Sequence, residues 1–314
     1  MKKAVIVSTV LLSLALIIAF AVFSRTPSSS PKRSIAYTSI LPQKDFVQRI
    51  AGERFEVHAL VGKGQSPHSY TPTPDQMARL SEASVFFRIG VQFEKGFLPK
   101  IKNSMPKLEI VDLRRGITLR NMVEDHNHEH AHDQHDEHGY HHTDTHDNHT
   151  EKDPHVWLSP PLVKQMGVTI RETLSRMDTA GERTYEKNLI EFHRELDSLD
   201  SYIRRTLKPF EGTELFVFHP AFGYFADEYG LIQKPVETGG KEPSARELAQ
   251  LIEQARTHRP EVIFVQPQYA RKSAESLARQ IGCAVVPINP LPENYFDQMR
   301  MMCRTIEKGL RDNE

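Results

Sequence analysis

The stretch GERTYEKNLIEFHRELDSLDSYIRRTLKPF, residues 181–210, is the most regular segment of the chain. Its apolar side chains recur every three or four residues, the spacing of one helical face, at Tyr185, Leu189, Phe192, Leu196, Leu199, Ile203 and Leu207. At 1.5 Å per residue such a helix spans roughly 40 Å, which is more than a compact domain requires internally. We therefore predict a linking helix over residues 179–210 that ends at Pro209 and joins two lobes.

On both sides of this helix, short runs rich in β-branched and aromatic residues alternate with helical patterns. Such alternation is typical of βα units on a parallel sheet. The predicted strands upstream are SIAYTSI, FEVHALV, SVFFRI and LEIVDL, and those downstream are LFVF, LIQKPVE, VIFVQ and CAVVPI. The sequence therefore predicts an α/β fold with an N-terminal lobe over residues 34–178 and a C-terminal lobe over residues 211–314.

The N-terminus reads MKKAVIVSTVLLSLALIIAFAVFSRTPSSS, with two lysines, an apolar run from Ala4 to Phe23 and a Ser/Pro-rich linker. This pattern predicts an export signal and its linker over residues 1–33. Ala19-Phe20-Ala21 offers a small-x-small cleavage site, while the run also reaches the roughly 20 residues that span a bilayer. A cleaved signal peptide and an inner-membrane anchor both stay open, and both predict a protein body in the periplasm.

The composition narrows the class of protein. The chain has 314 residues, 39% of them hydrophobic, and a formal net charge of −1. It is long enough for two ordinary cores and lacks the basic footprint of a nucleic-acid binder, so no nucleic-acid partner is expected. The chain contains two cysteines, Cys283 and Cys303, and an even pair in an exported protein predicts a disulfide.

A segment over residues 124–152 interleaves histidines with acidic residues and has almost no apolar residue to bury. Such a composition predicts an unstructured loop within the N-terminal lobe. Imidazole and carboxylate together bind zinc-like cations, so we expect weak auxiliary metal binding by His126, His128, His130, His132, His135, His138, His141, His142, His146 and His149. The alternative is a solvated insert that binds metal only because histidines do.

Four polar residues follow predicted strands, and ligands of open parallel sheets bind beyond the carboxyl ends of the strands. These residues are His68 after FEVHALV, His155 beyond LEIVDL and the His-rich loop, His219 after LFVF, and Asn289 after CAVVPI. Because the three histidines fall on the same predicted edge, we predict that they form a metal site. Three imidazoles suit tetrahedral Zn²⁺, whereas Mn²⁺ favours carboxylate-rich shells.

Three further histidines are predicted to lie outside the metal site, and the sequence lacks common catalytic motifs. His58 lies within a predicted strand, His193 on the linking helix and His258 at a helix end, so we expect all three to be satisfied polar residues outside any site. The chain contains no Gly-x-Ser-x-Gly or Walker motif. The sequence therefore predicts a binding protein rather than an enzyme.

Six stretches, in order along the chain, carry a family resemblance: GQSPHSYTPTPDQMARLSEA, VQFEKGF, DPHVWLSP, YEKNLIEFHRELDSLD, FHPAFGYFADEYGL and EPSARELAQLIEQARTHRPEVIFVQPQY. From about Ser34 to its end the chain resembles the metal-binding solute receptors of bacterial ABC importers, in the zinc-uptake branch of the zinc/manganese family. The resemblance implies two lobes bridged by a rigid helix, with Zn²⁺ held as cargo in the cleft by His68, His155 and His219. It also implies the membrane permease of a zinc ABC importer as partner.

The chain departs from this family at Asn289-Pro290-Leu291, where many relatives carry an aspartate, and at Pro220, where aspartate or arginine is more usual. An amide is a weak zinc ligand beside a carboxylate. The fourth position is therefore expected to be water or a group from the His-rich loop, with Asn289 at most orienting that water.

Other functions stay open on the sequence alone. They are a periplasmic zinc buffer or chaperone, an adhesin of the same fold, and a manganese-binding relative. A monomer is expected in each case.

Overall fold

The computed structural model describes residues 33–122, 152–236, 260–268, 275 and 278–311. The N-terminal lobe contains parallel strands β1 (Ser34–Thr38), β2 (Phe55–Ala59), β3 (Val85–Arg88) and β4 (Glu109–Asp112). They lie in the order β2-β1-β3-β4. Buried apolar runs such as Val85-Phe86-Phe87 are typical of strands covered on both faces. Each predicted strand of this lobe is therefore present.

Helices connect these strands and return the chain to the start of the next one. They are α1 (Leu41–Ala51), α2 (Pro74–Leu80) and α3 (Phe93–Ser104), followed after the His-rich segment by α4 (Pro160–Met177). Helix α2 begins with a capping box, in which Gln76 N–H donates to Thr73 Oγ1 at 3.2 Å and Thr73 N–H donates to Gln76 Oε1 at 3.0 Å. This cap fixes the end of the loop that carries His68.

The C-terminal lobe repeats the topology of the first. In the part of this lobe that the structure describes, the parallel strands are β5 (Glu214–Val217), β6 (Ile232–Pro235), β7 (Val262–Val265) and β8 (Ala284–Pro287). Their order is β6-β5-β7-β8, so in both lobes the second strand lies outside the first. The helical patterns that follow LIQKPVE and VIFVQ in the sequence fall wholly or largely outside the described residues. The predicted α/β fold with two lobes of parallel βα units is confirmed.

The linking helix is α5 (Glu182–Leu207), with short 3₁₀ turns at Thr179–Gly181 and Lys208–Phe210. All seven apolar residues predicted on its inner face are buried. The helix packs against α1 and α4 of the N-terminal lobe and against α6 (Gly223–Tyr229) and α7 (Tyr295–Arg311) of the C-terminal lobe. One hydrophobic core therefore runs through both lobes along this helix.

Buried hydrogen bonds also join the lobes directly. The Trp157 indole N–H donates to the Pro290 carbonyl at 2.6 Å, and the Tyr295 hydroxyl donates to the Trp157 carbonyl at 2.8 Å. The Tyr295 backbone N–H donates to Asp45 Oδ2 at 3.1 Å. Because buried polar groups are costly to separate, these bonds hold the cleft walls at a fixed distance.

The two cysteines correct one prediction. Cys283 and Cys303 are free thiols in the structure, so the predicted disulfide is not formed. Cys303 belongs to the main core on one face of the C-terminal sheet, while Cys283 packs with Ile263 and Val265 in a separate cluster. Alternate residues of β7 divide between these clusters, so the thiols lie on opposite faces of the sheet.

The membrane prediction concerns residues outside the description. Among the residues that the structure does describe, no helix is long and apolar enough to cross a membrane. The predicted signal or anchor over residues 1–33 lies almost entirely outside them.

Candidate metal centre

His68 lies on the loop between β2 and α2, directly after Pro67. The Phe93 backbone N–H donates to the Pro67 carbonyl at 3.2 Å, and the His68 N–H donates to Ser66 Oγ at 3.3 Å. Proline restricts its own backbone and that of the residue before it, so the loop enters the site in few conformations. This loop delivers the first imidazole from the N-terminal lobe.

His155 follows Pro154 and leads into a 3₁₀ turn, Val156–Leu158, before α4. The Asp153 carboxylate holds it twice, at 2.7 Å from Nδ1 and at 2.9 Å from the backbone N–H. His155 is 5% exposed and Asp153 is 2% exposed. Since the carboxylate accepts a hydrogen bond from Nδ1–H, the lone pair that can bind a metal lies on Nε2.

His219 follows β5 and comes from the C-terminal lobe. Gln266, which follows the neighbouring strand β7, holds its backbone from both sides. The His219 N–H donates to Gln266 Oε1 at 3.1 Å, and Gln266 Nε2 donates to the His219 carbonyl at 2.9 Å. Both residues are buried, so this pair of bonds fixes the peptide from which the third imidazole projects.

The structure brings the three imidazoles together, with ligand atoms all within 4.8 Å of one another. Nε2 of His68 lies 3.2 Å from Nε2 of His219. Bonds of 2.0 to 2.1 Å in a tetrahedral zinc shell place neighbouring ligand atoms about 3.3 Å apart. The separation between His68 and His219 matches one edge of that tetrahedron, and three imidazoles fit Zn²⁺ in chemistry.

The surroundings of His68 keep its imidazole in the neutral form that binds metals. Burial, together with the neighbouring imidazoles of His219 and His155, lowers the pKa of His68 to about 3. At neutral pH this ring is therefore uncharged and available as a ligand. Zinc requires the neutral form of imidazole, so no proton has to leave His68 before the metal binds.

The three imidazoles line a small cavity of about 30 Å³ between the lobes. Its apolar walls include Val91, Trp157 and Leu291, and its further polar groups include Gln92 and Gln268. The wall near Val91 is anchored by Glu94, a buried carboxylate that accepts the N–H groups of Ile89 at 2.9 Å and Gly90 at 2.8 Å. These bonds fix the position of the wall beside the three imidazoles.

Other predicted residues lie apart from the cluster. His58 pairs with Glu56 at 2.8 Å, and His193 Nε2 lies 3.1 Å from the Lys164 carbonyl. Asn289 Oδ1 accepts the Leu291 N–H at 3.0 Å and a hydrogen bond from Gln268. His258 and the ten histidines from His126 to His149 lie outside the described residues.

Three polar residues beside the site were not predicted from the sequence: Asp153, Gln266 and Gln268. Asp153 could have been found as a carboxylate two residues before a predicted ligand. Both glutamines follow β7, so the same strand-end rule that selected His219 would have selected them. Glutamine is a rare metal ligand, so neither residue stands out in the sequence as part of a metal site.

The arrangement has a clear chemical capacity. Two lobes of parallel βα units present three imidazoles across a cleft, two from one lobe and one from the other. Two of these ligands are held from behind by buried side chains. This fold and this site define a metal-binding protein of the two-lobed solute-receptor class.

Comparison with known proteins gives the family. The family model described as "Zinc-uptake complex component A periplasmic" matches residues 37–309. The chain belongs to this family. The match includes all three clustered histidines and both lobes, so it covers the whole site described above.

Relatives and solved structures agree with this assignment. The chain is 31% identical over 258 residues to the high-affinity zinc uptake system protein ZnuA of Bacillus subtilis (strain 168), covering 81% of this chain and 77% of that protein. It is 28% identical over 283 residues to the zinc-binding lipoprotein AdcA of Streptococcus pneumoniae, covering 86% of this chain but only 54% of AdcA. The chain therefore spans about half of that relative.

A crystal structure of a ZnuA deletion mutant with zinc bound is similar to this fold, with a TM-score of 0.76 and 33% identity. The similarity covers 88% of this chain and 97% of the crystallised one. The family match and the three-histidine cluster together support Zn²⁺ as the ion that this protein binds.

Proposed function

We propose that this chain is an extracytoplasmic, high-affinity zinc receptor that delivers Zn²⁺ to the membrane permease of an ABC importer. His68, His155 and His219 hold the ion, and the chain acts as a monomer without catalytic turnover. The observation that carries the proposal is the convergence of three imidazoles from two lobes within 4.8 Å. The family assignment supports uptake as the use to which the bound zinc is put.

The donor set supports zinc over manganese. Neutral nitrogen ligands in a tetrahedral arrangement suit Zn²⁺, while Mn²⁺ favours oxygen-rich shells of higher coordination number. Imidazoles also bind zinc less tightly than thiolates do, which suits a receptor because it has to release the bound ion. We propose in addition that the histidines from His126 to His149 bind further zinc weakly and pass it to the cleft.

The test is zinc binding by single-site variants of the purified protein. Replacing any one of His68, His155 and His219 by alanine should weaken the tight site by more than about 100-fold, since loss of a supporting residue alone typically costs 10- to 100-fold. His58→Ala and His193→Ala are matched controls, because both remove an imidazole that lies outside the cluster. Equal zinc affinity in all five variants would contradict the proposal.

Delivery is tested separately from binding. A strain that lacks this chain should grow poorly in zinc-depleted medium and should recover with the wild-type protein but not with His219→Ala. Recovery with the variant, or normal growth of the deletion strain, would argue against a role in uptake while leaving zinc binding intact.

A further inference from the structure

Gln268 presents an unused hydrogen-bond acceptor to the metal cavity. The residue follows β7 and lines the cavity together with the three histidines. Its Oε1 atom is buried and has no hydrogen-bond partner among the residues that the structure describes, although Nε2 of the same amide donates to Asn289 Oδ1 at 3.0 Å. A buried carbonyl oxygen without a donor is unfavourable, so its presence beside a binding site indicates that a ligand supplies the donor.

The orientation of this amide follows from its neighbours. The Leu291 backbone N–H donates to Asn289 Oδ1 at 3.0 Å, and Asn289 Nδ2 faces the Leu291 carbonyl at 3.3 Å. A backbone N–H can only donate, so the oxygen of Asn289 is the atom that faces Leu291 N. Because this oxygen can only accept, the Gln268 atom that faces it is the NH₂ group. The Gln268 oxygen is therefore the end of the amide that remains for the cavity.

The position of zinc in a three-histidine cage calls for one more ligand. A tetrahedral ion held by three protein nitrogens keeps its fourth position for water or another small group. The cavity of about 30 Å³ is large enough to hold a water molecule. Asn289 is unsuited to hold this water, because its oxygen is already engaged by two donors.

We propose that Gln268 Oε1 accepts a hydrogen bond from the water molecule that completes the zinc shell. The inference rests on the proposed zinc-binding function and adds a positioning residue to it. Asn289 acts one step further out, by fixing the Gln268 amide. In this arrangement the strand-end asparagine and the glutamine on the neighbouring strand form one unit.

A neutral acceptor has a consequence for selectivity and release. The amide orients the water without adding negative charge to the cage, so the protein contributes only uncharged groups to the ion. A carboxylate in the same place would favour metals that prefer oxygen and higher coordination numbers. Gln268 thus adds no charged oxygen to the site, which favours zinc over manganese.

The experiment compares Gln268→Met with Gln268→Glu in the full-length protein. Methionine has a similar length but no strong acceptor, so Zn²⁺ affinity measured against a competing chelator should fall about 10-fold or more. Glutamate keeps an acceptor oxygen and should retain zinc affinity within about threefold, with Mn²⁺ bound more tightly than by the wild type. Gln92→Met is the matched control, because Gln92 lines the same cavity and is exposed.

A second readout reports on the coordination shell itself. Co²⁺ bound in place of zinc gives visible d–d bands that respond to the fourth ligand. These bands should shift in Gln268→Met and stay unchanged in Gln92→Met. The melting temperature of each metal-free variant shows whether the fold has been kept, and the Gln268→Glu variant supplies the comparison if methionine destabilises the fold.

The outcomes separate this inference from the proposed function. If the wild-type protein binds zinc tightly but Gln268→Met has the same affinity and the same Co²⁺ bands, the role of Gln268 is overturned and the receptor function stands. If methionine and glutamate weaken zinc equally, Gln268 acts by packing and the inference is wrong. If the wild-type protein itself binds no zinc, the proposed function fails first.

Discussion

The two lobes share one sheet topology but hold their histidines by different means. In the N-terminal lobe, Asp153 accepts a hydrogen bond from Nδ1–H of His155 and so orients the imidazole ring itself. In the C-terminal lobe, Gln266 instead holds the backbone N–H and carbonyl of His219. The shared sheet topology places the histidines at the strand ends that face the cleft, while local hydrogen bonds orient each of them.

This difference separates two properties of the protein. A support that acts on the ring controls how well Nε2 meets the metal, so its loss should appear mainly as lost affinity. A support that acts on buried backbone groups satisfies their hydrogen bonds, so its loss should appear mainly as lost stability. The predictions that follow use single variants to test whether the two lobes divide in this way.

The largest expected effect comes from Asp153→Ala. Without the carboxylate the His155 ring can rotate and change tautomer, and zinc affinity should fall by about 100-fold, equivalent to about 2.7 kcal/mol. Asp227→Ala is the control, because Asp227 lies 3.2 Å from Arg120 and is exposed, yet has no contact with His155. Isothermal titration should show the loss in the first variant only. An equal loss in both would mean that charge near Arg120, rather than the bond to His155, sets affinity.

Gln266→Leu should come next, with a loss of about 2 kcal/mol in the free energy of unfolding, because it leaves two buried backbone groups of His219 without partners. Zinc affinity should fall less than in Asp153→Ala. Gln233→Leu is the control, since Gln233 Oε1 accepts the Phe222 N–H at 2.7 Å and does not contact the histidines. Urea unfolding of the metal-free proteins measures the free energy of unfolding of both variants. Unchanged stability in Gln266→Leu would remove the distinction between the lobes.

The smallest expected effect concerns the N-terminal end of the linking helix. The Arg54 guanidinium holds Asp178 there and, with the Tyr185 hydroxyl, lowers the pKa of that carboxyl to about 2. Because the folded pKa lies below the ordinary value of 3.8, the stabilising contribution is present above about pH 4 and is lost as pH falls through about 2.

Asp178→Asn should therefore lower the melting temperature slightly at pH 7 and should flatten its fall between pH 4 and 2. The change is small because the pair is partly exposed to solvent. Thermal unfolding at several pH values, with Asp197→Asn as a surface control, gives the comparison. A variant as acid-sensitive as the wild type would show that Asp178 is not a source of that sensitivity.

Much of the fold could be predicted because its signals are local. The alternation of strand and helix patterns, the apolar face of the linking helix and the positions of His68, His155 and His219 after strands can all be read from neighbouring residues. The strand-end rule then brings residues together that are far apart in the chain, since parallel strands end at one edge. That the edges of the two sheets face each other across a cleft was implied only by the family resemblance.

What could not be predicted depends on faces and orientations. The cysteine count gave no information on which face of the C-terminal sheet each thiol occupies, and the disulfide prediction was wrong for that reason. Asn289 was expected at most to orient a water molecule, and the sequence did not indicate that its amide oxygen accepts hydrogen bonds from Leu291 N–H and Gln268. The face that a side chain occupies and the direction of an amide depend on contacts between segments far apart in the chain, which the sequence alone does not show.

The central claim is that three imidazoles from two lobes bind one zinc ion. The most direct measurement is a crystal structure of the zinc-loaded protein with anomalous data collected at the zinc absorption edge. We predict an anomalous peak about 2.0 to 2.1 Å from a ring nitrogen of each of His68, His155 and His219, with a water molecule completing a tetrahedron. A tightly bound zinc ion located elsewhere, with the three rings left uncoordinated, would contradict the account.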